Sequence, residues 1–315
     1  MNRKLMILVS GFVFLTMISC SISLSGTPAP FPTSPFLPYL TSQSFTPAAS
    51  SSTPAAALPT SGASPTGAPT ALPSGPYAVI LVVPPDVLNI RSSPDPGSPV
   101  VGTFSATATT VMRTGLSAAS GSSLWVEVQN PAGGTGWVNS RYLTEYVAHA
   151  SFCADGRVNT LLANLAHALT VSDGAQLAAL VSPAHGMDVR LYRYATAVNY
   201  DQAHAAYAFS STYENSWGLA PASGLETTGS FHEKVLPGLQ EVFNASYTLS
   251  CDLVQTGGAS YDTSWPAVYT NINFYSVYKP GPPGNELSWR TVLVGVEYVS
   301  GQPYVFSLTQ MAWEP

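Results

Sequence analysis

Charge is scarce in this chain. Only 9% of its 315 residues are Asp, Glu, Lys or Arg, against about 25% in an ordinary soluble domain. No cluster of Lys and Arg occurs, and the formal balance is −6. Both features argue against nucleic acid as a partner and against electrostatic adhesion to anionic lipid headgroups. Cysteine is rare too: Cys20, Cys153 and Cys251 are the three. The apolar run from Leu5 to Ile18 has 14 residues, short of the roughly 20 that span a bilayer. Chemical signatures are equally sparse. The five histidines are His149, His167, His185, His204 and His232. No pair of them has the His-x-x-x-His or His-x-His spacing that a zinc site uses, so no metal is expected. The Gly-x-Ser-x-Gly elbow of serine hydrolases is missing. No cofactor is expected.

What is present begins at the N-terminus. Arg3 and Lys4 precede the Leu5–Ile18 run, which ends on Ser19 and Cys20. A basic start, a short apolar middle and a small residue at the cut make a secretory signal peptide. Met17-Ile-Ser-Cys20 resembles the lipobox of bacterial lipoproteins, with Met where that family prefers Leu. The resemblance implies cleavage before Cys20 and a diacylglyceryl group on its thiol. Residues 1–19 are then a leader, and the chain is exported and held to the membrane through lipid on Cys20. Buried methylenes contribute about 0.8 kcal/mol each, so two or more chains anchor stably where one does not. Without Arg3 and Lys4, 9 basic residues face 17 acidic ones, a balance of −8.

With Cys20 lipidated, Cys153 and Cys251 remain. Export into an oxidising compartment favours a disulfide between them; two free buried thiols are the alternative. Residues 20–75 hold the lipidated Cys and a tether. From Ser21 to Gly75 the chain carries no charge and is Pro, Ser, Thr and Ala with scattered Gly. Such a segment buries too little apolar surface to offset chain entropy and is expected to be disordered.

Residues 76–147 form the next piece. Tyr77–Val83, Val87–Ile90, Val100–Phe104, Thr109–Arg113, Leu124–Gln129 and Thr135–Val138 read as short strands between turns, a small all-β barrel or sandwich. Val87-Leu-Asn-Ile-Arg-Ser-Ser-Pro94, Pro99-Val-Val-Gly-Thr-Phe104, Leu124-Trp-Val-Glu-Val-Gln129 and Gly136-Trp-Val-Asn-Ser-Arg-Tyr-Leu143 resemble, in order, the segments of a bacterial SH3 domain. Ala132-Gly-Gly134 departs from that family's polar turn. The resemblance implies a module that binds cell-wall peptide or glycan, or one that spaces and docks other domains. Tyr77, Trp125, Trp137 and Tyr142 are candidates to line a groove, with Trp125 and Trp137 weighed more heavily as core.

Residues 152–315 read as an α+β domain with helices packed on one face of an antiparallel sheet. Val158, Leu161, Leu162, Leu165 and Leu169 mark one helix face. Asp173 with Gln176 reads as the cap of a second helix ending before Pro183. Met187–Val198 reads as a strand, Tyr200–Phe209 as a short helix, and Pro237 as the start of another. Ala267–Tyr278, Ser288–Val299 and Gln302–Trp313 read as long strands, with Ser300-Gly301 a hairpin turn. Leu180-Val-Ser-Pro-Ala-His-Gly186, Ser216-Trp-Gly218 and Ser223-Gly224 before Gly229-Ser-Phe231 resemble exported bacterial domains of unknown function. The Trp289–Trp313 hairpin resembles the last strands of the nuclear-transport-factor-2-like, or cystatin-like, cone. Cones of this type hold a pocket between sheet and helices, for which Asp188, Arg190, Tyr192, Trp217, His232 and Glu233 are candidates; a surface Asp188–Arg190 pair and a core Trp217 are the plainer reading.

No catalytic residues are assigned. Cys153 lacks the flanks of a cysteine peptidase and has Cys251 as a natural partner. Two carboxylates about 5 to 10 Å apart suffice for a glycosidase, and the last domain carries 13 acidic residues. The expectation is therefore a lipid-anchored envelope protein with a non-catalytic binding role, the barrel engaging cell wall or an envelope protein. The alternatives are a peptidoglycan hydrolase working through carboxylates of the last domain, and a structural spacer.

Overall fold

A computed structural model describes residues 75–314. The leader, Cys20 and the tether expected above lie outside the described residues. Within them, no helix is long and apolar enough to cross a membrane.

The barrel is built from β1 (Tyr77–Val79), β2 (Val87–Arg91), β3 (Val100–Ser105), β4 (Arg113–Ser120), β5 (Ser123–Gln129), β6 (Thr135–Asn139) and β7 (Leu143–Glu145). Five strands pair in the order β3-β2-β6-β5-β4, and β1 pairs with β7. Alternation drives the pairing: Leu88 and Ile90 are buried while Asn89 is exposed, so one face of β2 packs on Val126, Val128 and Val138. Gly136 is needed for space. A Cβ there would lie 2.9 Å from the Arg91 carbonyl oxygen. In the Ala132-Gly-Gly turn, Gly133 and Gly134 have φ of 108° and 75°, a region that side chains with a Cβ avoid. The expected strand Thr109–Arg113 is replaced: Val111 makes only an isolated bridge to Tyr77, and β4 begins at Arg113. β4 itself is mostly exposed, so its sequence carries no apolar alternation.

The rest of the chain contributes α1 (His149–Ala154), α2 (Gly156–Val171), α3 (Gly174–Leu180), β8 (Met187–Arg190), β9 (Val198–Tyr200), α4 (Gln202–Ala205), β10 (Asn215–Leu219), β11 (Glu226–Gly229), α5 (Leu236–Phe243), β12 (Thr248–Cys251), β13 (Asn273–Lys279), β14 (Arg290–Val299) and β15 (Gln302–Ala312). Six strands form a sheet in the order β12-β13-β14-β15-β8-β9. All neighbours are antiparallel except β15 and β8.

Side-chain periodicity fixes the layers. On α2 the stripe Val158, Leu161, Leu162, Leu165 and Leu169 is buried, against Val292, Val294, Val296 and Leu308 of the sheet. Asp155 caps α2, accepting the Arg157 N–H at 2.9 Å, and Asp173 caps α3, accepting from Gln176 at 2.9 Å. The opposite face of the sheet is covered as well. Phe274, Leu293 and Met311 pack with Trp289, and Trp265 lies against them. Ile80 and Leu81, leaving β1, pack with Tyr269, Ile272 and Phe306. Burial on both faces makes β14 continuously buried from Thr291 to Tyr298, the pattern of an interior strand.

Three expected elements differ. Met187–Val198 is two strands, β8 and β9, joined by a turn that the Arg190 guanidinium closes on the Ala195 carbonyl at 2.6 Å. The helix expected over Tyr200–Phe209 is only α4, because Tyr200 still belongs to β9 and Asp201 caps the turn by accepting the His204 N–H at 2.7 Å. Ala267–Tyr269 is a single helical turn, not strand, because it carries Tyr269 into the core beside Ile80. Cys153 on α1 and Cys251 at the end of β12 form a disulfide with Cα atoms 5.8 Å apart.

Candidate functional site

The barrel and the larger sheet meet around one buried carboxylate. Glu297 lies on β14, on the side away from the helices, and its side chain is 0% exposed. A lone buried charge costs several kcal/mol or more unless it is paired and hydrogen-bonded. Glu297 has three side-chain donors. The Ser182 hydroxyl donates to one oxygen. His185 Nδ1 donates to the other at 2.7 Å, as does Thr144 of β7 at 3.1 Å.

Local sequence explains how His185 arrives there. The Ser182 hydroxyl accepts the backbone N–H groups of Ala184 and His185 at 3.1 and 3.2 Å, and Gly186 N–H returns to the Ser182 carbonyl at 3.0 Å. Gly186 has φ of 74°, which closes the turn before β8. Phe306 stands edge-on to the imidazole, centroids 5.9 Å apart.

Above this network a cleft of about 510 Å³ separates the two domains. Arg113, Ser123, Asn139 and Arg141 line it from the barrel, and His185 and Ser300 from the sheet. The Arg113 guanidinium lies 4.9 Å from the centre of the Tyr77 ring, and its Nε is buried without a partner. The cleft's other carboxylate is engaged: Glu145 accepts the N–H groups of Ser300 and Gly301 at 2.7 and 2.8 Å. Among the described residues neither Arg113 nor Arg141 makes an ion pair. The cleft holds the cations Arg113 and Arg141 together with the carboxylates Glu145 and Glu297, and its two guanidinium groups can meet a ligand carrying carboxylate or carbonyl oxygens.

The four aromatics predicted to line a groove do not form an exposed one. Tyr77 is buried in the barrel core and Trp125 is buried outside it with its indole Nε1 unpartnered, while Trp137 and Tyr142 are half-buried. Tyr77 alone of the four borders the cleft. Burial, ahead of nearby charges, raises the pKa of its phenol.

The six residues proposed for a pocket in the last domain are likewise not brought together. Asp188 accepts the Tyr269 hydroxyl at 2.7 Å and the Asn199 amide at 2.8 Å. The Arg190 guanidinium lies 5.5 Å from the Tyr269 ring centre. Both residues face away from the helices. Tyr192 packs against the helix-side core. Trp217 is fully buried there and donates to the Gly229 carbonyl at 2.9 Å. Glu233 forms a capping box with Ser230, and His232 is exposed on the same turn. A period-2 alternation put Asp188 and Arg190 on one face correctly, but could not tell which face lay toward the helices.

His149, Cys153 and Asp252 bring ligand-type atoms within 4.8 Å of one another. Cys153 is bonded to Cys251, so it offers no thiolate, and His149 Nδ1 pairs with Asp252 at 2.7 Å.

The Glu297 network was missed from sequence. Its one local signal is Ser182-Pro-Ala-His-Gly186, a turn that commits a histidine to a fixed place. No curated protein and no solved structure matches the chain. The segment that supplies Arg113, Asn139, Arg141 and Thr144 does match: residues 86–144 fit the family model of the bacterial SH3 domain.

Proposed function

We propose that this protein is an exported, lipid-anchored envelope protein whose barrel binds cell wall or an envelope protein without turning it over. The observation that carries the reading is the bacterial SH3 domain over residues 86–144, a type of module that serves in binding. The cleft with Arg113 and Arg141 is the surface we assign to that role. Its cations would meet carboxylate and carbonyl oxygens of a wall peptide. The lipobox-like Met17-Ile-Ser-Cys20 supports anchoring through Cys20, and the uncharged Pro/Ser/Thr-rich stretch after it supports a tether. Helices α2, α3 and α5 on one face of the larger sheet support reading the last domain as an α+β cone of the nuclear-transport-factor-2-like kind.

The test is a pull-down of the purified chain on insoluble peptidoglycan, with soluble muropeptides followed in the same tube. Retention without release, weakened several-fold by Arg141→Glu, is expected. Release of fragments would overturn the reading in favour of a hydrolase. No retention and no release would move the assignment to a protein partner.

A further inference from the structure

A second cavity, of about 450 Å³, lies between β9, the α4 turn and β10. Its rim carries two tyrosines, Tyr207 and Tyr213, that are 68% and 74% exposed. Large rings left in water at the mouth of a pocket have apolar faces without a partner. The floor is rigid, because Phe231 meets Tyr200 and Phe209 edge-on at centroid distances of 5.4 and 5.8 Å.

The polar groups of this pocket are almost all neutral. Asn215 donates to the Tyr200 hydroxyl at 3.1 Å, which leaves the phenolic O–H free to donate and the Asn215 carbonyl free to accept. Burial pushes the Tyr200 phenol up to about 12, so it remains a donor. Asn199 borders the pocket through β9, but its amide lies on the other face of the sheet, bonded to the His185 carbonyl at 2.9 Å and to Asp188 at 2.8 Å. The Ser211 oxygen accepts the Tyr213 N–H at 3.2 Å, which leaves its hydroxyl proton available. The one lining side chain that can carry positive charge is His204, and Asp201 pairs with it at 2.7 Å.

Aromatic faces beside a set of uncharged donors and acceptors match one ligand chemistry. A pyranose ring has an apolar C–H face that stacks on a tyrosine. Its edge of hydroxyls both donates and accepts, as Tyr200, Asn215 and Ser211 require. A charged ligand would find no counter-charge, and a purely apolar one would strand those polar groups. We propose that this pocket binds an uncharged sugar ring, stacked on Tyr207 or Tyr213 and hydrogen-bonded by Tyr200, Asn215 and Ser211. The site is distinct from the barrel cleft and does not rest on that cleft's role.

The test is calorimetric titration of the full chain in detergent with two soluble probes, the tetramer of N-acetylglucosamine and cellotetraose. Binding of at least one at millimolar concentration or tighter is expected. The double variant Tyr207→Ala/Tyr213→Ala should weaken it by about tenfold or more, while Tyr207→Phe/Tyr213→Phe should stay within about twofold. Tyr200→Phe, which keeps the ring and loses the donor, should cost roughly fivefold. Tyr207 and Tyr213 are exposed, so thermal melting of their variants should match the parent chain. No heat with either sugar, or unchanged affinity in the double alanine variant, would overturn the proposal. The probes contain no cell-wall peptide, so this failure and failure of the peptidoglycan pull-down are read separately. Binding of the acetylated tetramer alone would point to wall glycan, and binding of both to general hexose recognition.

Discussion

Thr144 donates to the buried carboxylate of Glu297 at 3.1 Å across 153 residues of chain. This bond ties the last strand of the barrel to the interior strand of the larger sheet. It sits beside others that cross the same junction. Leu81 N–H reaches the Val268 carbonyl at 3.0 Å. The Asn271 side chain donates to the Val79 carbonyl at 2.7 Å, and that of Asn273 to the Val147 carbonyl at 2.8 Å.

Thr144→Val removes one of three donors from a fully buried carboxylate and leaves the rest in place. A loss of about 1–3 kcal/mol is expected, since the lone pair then goes unsatisfied. Glu297→Ala should cost more, about 3–5 kcal/mol, because it strands His185 and the two hydroxyls. Denaturant unfolding followed by far-UV circular dichroism reads both. Equal and negligible effects would mean that the network does not hold the junction.

The shared apolar cluster and the crossing bonds predict that residues 75–314 unfold in one cooperative transition. Asn271→Ala removes the side chain that holds Val79, and with weaker contacts to the Ala106 and Ala108 carbonyls at 3.3 Å. Calorimetry should then show a lowered and broadened transition, or two. A parent chain that already melts in two well-separated steps would refute the coupling.

Reduction should destabilise the last domain. The Cys153–Cys251 bridge closes a loop with a sequence separation of 98, and the chain-entropy model gives such a loop up to about 4.7 kcal/mol. Melting with and without dithiothreitol, and of Cys153→Ala/Cys251→Ala, is the check. An unchanged midpoint would mean that the bridge adds nothing to the folded state.

Acid sensitivity should report on Asp155. Hydrogen bonds from the Arg157 guanidinium, chiefly, hold its carboxyl well below the usual carboxylate range, and the Tyr298 hydroxyl donates to it at 2.8 Å. A depressed folded-state pKa contributes stability that is fully present above the unfolded value, about 3.9, and is lost as pH falls below it. Asp155→Ala should cost about 1 kcal/mol at neutral pH through the lost helix cap, and the gap from the parent should shrink below pH 4. A gap that stays constant from pH 7 to pH 2 would count against this role.

Period and count were enough for some of this protein. The α2 stripe is encoded by spacings of three and four, the Asp173 cap by one residue and its neighbour three along, and barrel strands β2, β3, β5 and β6 by short β-rich runs between turns. With Cys20 set apart, two cysteines leave one pairing, and the structure contains it. These features are local, or reduce to a count, so composition and spacing suffice.

The candidate sites needed the fold. Glu297 reads as an ordinary carboxylate in a strand, and Thr144 as one more β-branched residue. Nothing near either names the other, because their contact arises only when the barrel lies on the sheet. Asn199 and Tyr213 likewise share a pocket only because β9 turns into α4 before β10. The sequence alone determined which segments alternate, which helices carry an apolar stripe and where turns must open. The tertiary structure decided which sheet face is inside, which of 13 acidic residues in the last domain is buried, and which aromatics stay in water. The physical reason is that burial is settled by what packs on a face from far along the chain, and no local spacing records that.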